Sequence, residues 1–167
     1  MNIGKETEYV EFKESTSELK AGLESIAAML NKHCKATIFF GVKDNGDVIG
    51  QLIGKDTVND IVKAIRTRID PNINPTINIL NHNKKQYIKV YATGYNKPYA
   101  VDGQYLIRLG TSNKKMTPED LRTLILNAEG DLTTQMISNN QDLSFNQLKQ
   151  LYIANNIKIN QNKFFRI

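Results

Sequence analysis

Ala36-Thr-Ile-Phe-Phe-Gly-Val42-Lys-Asp44-Asn-Gly46-Asp-Val48-Ile-Gly50 joins an apolar run to turn chemistry and then to a second, shorter apolar run. The first run is rich in β-branched and aromatic side chains without polar alternation, which predicts a central strand buried on both faces. Asp44-Asn45-Gly46-Asp47 predicts a tight turn, with Val48 to Gly50 returning as a hairpin partner. Upstream, Leu19, Leu23, Ile26, Ala27 and Leu30 recur at helical spacing, so Ser17 to Asn31 reads as an amphipathic helix. Ser15-Thr16-Ser17 are its capping candidates, and Gly22 marks a point of close packing. A helix followed by a hairpin predicts an α/β (α+β) domain: a mixed, largely antiparallel sheet packed with amphipathic helices.

Further along, Val58, Ile61, Val62, Ile65 and Ile69 mark a second amphipathic helix, with Asp56 at its N-cap. The preceding Gly50-Gln-Leu-Ile-Gly54-Lys55-Asp56 departs from a phosphate loop. It has three residues between its glycines, and Asp56 stands where a hydroxyl residue belongs. Thr76 to Leu80 and Gln86 to Thr93 read as two strands, with His82 in the polar turn between them. Gly103 to Gly110 reads as a strand carrying Arg108, and Gly110 to Lys115 as a polar loop. Thr117-Pro118-Glu119-Asp120 opens another helix with a capping residue and Pro at its first position, and Leu121, Leu124 and Ile125 form its buried face. After Asn127 the chain becomes polar. Residues 1–127 therefore read as the domain, and 128–167 as a polar linker followed by a helix from Ser144 to Asn155 and an apolar tail.

A chain of 167 residues fits one domain with a single sizeable core. The net charge of +5 favours polyanionic partners, modestly and without specificity. One cysteine, Cys34, allows neither an internal disulfide nor a cysteine-based zinc site, and fits a reducing cytoplasm. His33 and His82 are too few and too poorly spaced for a zinc centre. No run of about 18 apolar residues predicts a membrane span, and Met1 to Lys5 does not read as a secretory signal.

Near the N-terminus, Glu6-Thr-Glu-Tyr-Val-Glu-Phe-Lys-Glu-Ser15 interleaves acids with Tyr9, Val10 and Phe12. Two readings stand: a strand whose charges face water, or carboxylates that hold a divalent metal beside a nucleic-acid backbone. Taken together, several short motifs resemble the Schlafen AlbA_2 family. They are Glu6-x4-Glu11-Phe12-Lys13, Ala28-Met29-Leu30-Asn31, Phe40-Gly41-Val42-Lys43-Asp44 with Gly46 and Ile49-Gly50, and Lys97-Pro98-Tyr99. Tyr105-x2-Arg108-x-Gly110-Thr-Ser-Asn113 and the helix from Pro118 complete the resemblance, which spans Glu6 to Leu126.

The resemblance implies nucleic-acid binding, in one of two forms. In the Schlafen branch, ribonucleases that cut structured RNA such as tRNA use two glutamates and an aspartate, which fall here on Glu6, Glu11 and Asp44. Those three would hold Mg²⁺ or Mn²⁺, with Lys13 stabilising charge on the phosphate or keeping Glu11 ionised. Many bacterial relatives instead look like noncatalytic DNA-binding modules of transcriptional regulators. In that form Lys32, Lys35, Arg66, Arg108, Lys114 and Lys115 would contact phosphates of RNA (tRNA or rRNA) or DNA, and ATP binding ranks behind both. Two departures stand out: Cys34-Lys35 replaces the family's usual Gly-Gly, and Lys43 replaces an acid, where it would meet a phosphate. Geometry adds a condition. In one straight strand Glu6 and Glu11 would lie on opposite faces roughly 16 Å apart, so a shared metal requires a bend between Glu6 and Tyr9. The two-lobed cradle of eukaryotic relatives would require a homodimer of this chain.

Overall fold

The computed structural model describes residues 1–136, of which Met1–Glu129 forms one compact unit. It is an α+β fold built from two four-stranded sheets. The first runs β1 (Val10–Lys13), β2 (Lys35–Phe40), β5 (Lys85–Thr93), β4 (Thr76–His82), and the second runs β3 (Ile69–Asp70), β6 (Ala100–Val101), β7 (Gln104–Leu109), β8 (Ser112–Lys115). Only β1 and β2 pair in parallel; the other pairings are antiparallel. Helix α1 (Leu19–His33) packs on β2 and β5 of the first sheet and on β6, β7 and β8 of the second. Its Leu23, Ile26, Ala27 and Leu30 meet Ile38, Phe40, Ile88 and Val90 in the main core. A side chain at Gly22 would reach within 2.9 Å of the Phe40 ring, so the helix sits against the sheet because that position has none.

Helix α1 begins later than the periodicity alone predicts. The Ser15 hydroxyl accepts from the Ser17 amide and opens a single 3-10 turn, Thr16–Glu18, ahead of the α-helix. At its other end Cys34 adopts the left-handed conformation (φ 59°) and donates its amide to the Leu30 carbonyl. Helix α2 (Thr57–Arg68) buries Ile61 and Ile65. Asp56 stands at its N-cap but makes no capping hydrogen bond; the Thr57 hydroxyl accepts from the Gly54 amide instead. Helix α3 (Pro118–Met136) starts as expected, with a reciprocal cap in which the Thr117 amide donates to Asp120 and the Asp120 amide to the Thr117 hydroxyl.

Six expectations are corrected. β2 is central, but Thr37 and Phe39 are only half-buried, because α1 covers one face of the sheet and the other face is partly open. The Val42–Val48 hairpin shrinks to one bridge. The Lys43 amide donating to the Asp47 carbonyl and the Ile49 amide to the Gly41 carbonyl close that bridge; the Gly50 amide shares the Gly41 carbonyl, and the Val48 amide turns outward to the Met1 carbonyl. His82 belongs to β4, since a tight turn at Asn83 and Lys84 (φ 47° and 64°) joins β4 to β5. Ser112–Lys115 is strand β8 and not a loop. The apolar face of α3 is weakly buried, with Leu121 and Leu124 half-exposed and Ile125 and Leu126 exposed. Helix α3 also continues past Asn127, where a linker is expected. The expected helix from Ser144 and the apolar tail lie outside the described residues.

Candidate nucleic-acid interface

The bend required between Glu6 and Tyr9 is present. Glu8 and Tyr9 form a turn, closed by the Thr7 amide donating to the Val10 carbonyl at 2.9 Å, and β1 begins only at Val10. The turn folds Glu6 back along β1, where its carboxylate accepts from the Phe12 amide at 2.9 Å. Burial pushes the Glu6 carboxyl above its ordinary value of 4.5, and the charges of Glu11 and Asp44 add to the rise. The Phe12 amide and Lys13 oppose it.

Glu11 is engaged on both sides. One oxygen accepts from Lys13 Nζ at 2.7 Å and the other from Arg108 Nη2 at 2.5 Å. Arg108 is fully buried. It also donates through Nη1 to Asn113 Oδ1 at 2.8 Å, and Asn113 donates in turn to the Ser25 hydroxyl at 2.9 Å. This chain of bonds ties β1 to β7, β8 and α1. Arg108 therefore cannot reach a solvent phosphate, which corrects its expected role. The three expected acids do not fit a divalent cation as arranged. Both Glu11 oxygens are taken, one Glu6 oxygen is bound to backbone, and Asp44 is exposed. Among the described residues, no group of three or more His, Cys, Asp or Glu is placed to hold a metal ion.

The other basic candidates disperse. Lys32 is paired with Glu8 at 2.6 Å. Lys43 is exposed in the turn after β2, Arg66 on α2, and Lys114 and Lys115 on β8. Lys35, also exposed, reaches over the Tyr9 ring at 4.4 Å from its centre.

Glu8, which is not among the expected site residues, is a hub. It faces Lys32, His33 Nε2 at 3.2 Å and the Gly110 amide at 3.3 Å. The Lys32 hydrogen bond, then the Gly110 amide, hold its carboxyl below the ordinary value. His33 is held below its ordinary value by burial first, then by Lys32, Lys35 and Lys97, with Glu8 opposing. The C-terminal end of α1 is thus an electropositive neighbourhood, as suits a helix terminus that carries partial negative charge.

Two motifs of the resemblance prove structural. Asn31 is buried, donates to the Tyr99 and Leu106 carbonyls at 2.8 Å each, and accepts from the Tyr99 amide at 2.7 Å. It locks α1 to β6 and β7 and accounts for pairing Asn31 with Lys97-Pro98-Tyr99. A buried asparagine beside an apolar stripe is the sequence signal for such a lock, though it leaves the partner unnamed.

The structure defines an α+β domain with exposed lysines on several elements. The model of the Schlafen, AlbA_2 family matches residues 6–117, more than half of the chain, and the chain belongs to that family. Membership carries the coarse assignment of a nucleic-acid-binding domain. Among solved structures, the DIP2311 protein from Corynebacterium diphtheriae is similar with a TM-score of 0.53 at 18% identity, over 65% of this chain and 22% of that one. This likeness shows the fold alone. No curated protein matches the sequence. Among the described residues, no helix is long and apolar enough to cross a membrane.

Proposed function

We propose that this domain binds nucleic acid, RNA or DNA, without cutting it, as the module of a regulator would. The carrying observation is Glu11. A carboxylate whose two oxygens are each held by a cation, Lys13 on one and a fully buried Arg108 on the other, is a structural strut whose charge is already compensated within the protein. The exposed lysines supply the phosphate contacts, so binding is backbone-led and salt-sensitive.

A second reading, metal-dependent cleavage of structured RNA, draws on one specific observation. The turn at Glu8–Tyr9 brings Glu6 within electrostatic reach of Glu11 and Asp44. It requires a metal to share Glu11 with Lys13 and Arg108, or to displace one of them.

One experiment separates the two. Labelled tRNA, an rRNA fragment and duplex DNA are incubated with the full chain and with Mn²⁺, Mg²⁺ or chelator, and read by gel shift and by product length. The expected result is a shift without shortening in every metal condition. Metal-dependent shortening that disappears in Glu6→Gln and Asp44→Asn would overturn the noncatalytic reading.

A further inference from the structure

The first sheet has two faces, and helix α1 covers one. Residues directly opposite each other on paired strands share a face. Thr37 of β2 lies opposite Val10 of β1 and Tyr91 of β5, and Tyr91 lies opposite Thr76 of β4. The next row aligns Phe12, Phe39, Lys89 and Asn78, and the row on the other side pairs Lys35 with Thr93. These positions alternate with Ile38, Ile88 and Val90, which are buried under α1.

Part of the second face is sealed: Phe12 and Tyr87 pack with Val42 and Val48 in a small cluster of their own. The remainder is open. Tyr91 is 38% exposed with Thr76, Asn78 and Thr93 exposed around it, and Tyr9, 43% exposed in the turn ahead of the edge strand β1, lies beside Lys35.

Charge and ring geometry narrow what would cover it. Lys35, Lys85 and Lys89 stand on this face, and none of its strand positions is Asp or Glu. The Lys35 ammonium lies 4.4 Å from the Tyr9 ring centre and the Lys89 ammonium 5.8 Å from that of Phe39. Tyr9 is held from below, its carbonyl accepting from the Thr37 amide at 3.0 Å and its ring meeting His33 edge-on at 6.1 Å. Exposed tyrosine rings interleaved with lysines, on strands with no acid on this face and with the neighbouring Glu8 paired to Lys32, match unstacked bases on a phosphate backbone. A duplex keeps its base faces stacked on one another and has none to offer.

We propose that this open face binds single-stranded nucleic acid, with Tyr91 and Tyr9 stacking on bases and Lys35 and Lys89 neutralising phosphates. The inference rests on the nucleic-acid-binding reading above and adds to it a face, a strand state and four residues.

Fluorescence anisotropy of the full chain tests it with labelled oligo-U RNA, oligo-dT DNA and a duplex of equal length. Single strands should bind more tightly than duplex. Tyr91→Ala and Tyr9→Ala should each weaken single-strand binding about tenfold, while Tyr91→Phe, which keeps the ring, stays near wild type. Lys35→Ala and Lys89→Ala should weaken binding and flatten its salt dependence. Thermal melting of each variant identifies any that fail to fold, and Tyr91→Phe keeps the ring's role testable if Tyr91→Ala does. Tighter binding of either sugar supports the proposal and names RNA or DNA. Single-strand binding unchanged in all four alanine variants would overturn the proposal and leave the domain's reading intact, as would binding of duplex alone. No binding to any of the three would overturn both.

Discussion

Arg108 and Glu11 show how far a side chain's role depends on what reaches it. An arginine in the middle of an alternating strand beside a lysine-bearing segment reads as a surface phosphate contact. In the fold it is fully buried and paired with Glu11, 97 residues away in sequence. Removing one partner of a buried pair leaves an uncompensated charge, so Arg108→Ala should lower stability by about 3–5 kcal/mol, measurable by urea unfolding. Glu6 gives a pH prediction. Its folded-state value is raised, so the fold favours the protonated carboxyl; that contribution is fully present below about 4.5 and is lost as pH rises through the folded value. Glu6→Gln should therefore raise the melting temperature over wild type at pH 7, with the gain shrinking toward pH 4. A gain that is equal at both pH values would show that the charge of Glu6 is not the cause.

At the scale of elements, Cys34 explains one of the sequence's departures from its family. The α1 terminus needs a left-handed residue, and where the family usually has glycine this chain places a side chain at φ 59°. Cys34→Gly should stabilise the domain by about 1 kcal/mol, seen as a higher urea midpoint at unchanged slope. Gly22 predicts the reverse. Alanine is the better helix former by about 1 kcal/mol, but its methyl would press on the buried Phe40 ring, where overpacking costs about 1–3 kcal/mol. Gly22→Ala should give a net loss of about 1 kcal/mol. An increase in stability would mean that the ring moves aside freely. Elements with strong local signals were legible in the sequence: the stripes of α1 and α2, the cap at Thr117 and the strands on either side of Asn83. The short extent of the hairpin after β2 was not, because the Val48 amide goes to the Met1 carbonyl, a contact that leaves no local pattern.

For the whole molecule, charge is the observable. Each phosphate neutralised on a single strand contributes about −0.7 to the slope of log affinity against log salt. Contact through Lys35 and Lys89 predicts a slope of about −1.4, measurable by anisotropy titrations between low and physiological salt. A slope near zero would remove the phosphate contacts from the account.

By itself the sequence determined the α+β class, the periodic helices and strands, the family, and the need for a bend after Glu6. These depend on short-range spacing, which side-chain geometry and hydrogen bonding read locally. Only the tertiary structure decided which charges are free. It sent Arg108 inward to Glu11, tied Lys32 to Glu8 and left Lys35 beside an exposed tyrosine. Those outcomes depend on which distant strands α1 gathers around it, and the low dielectric between them makes the buried pairing strong. A run of acids and a run of lysines look alike in sequence whether they clamp each other or wait for a ligand; burial separates the two.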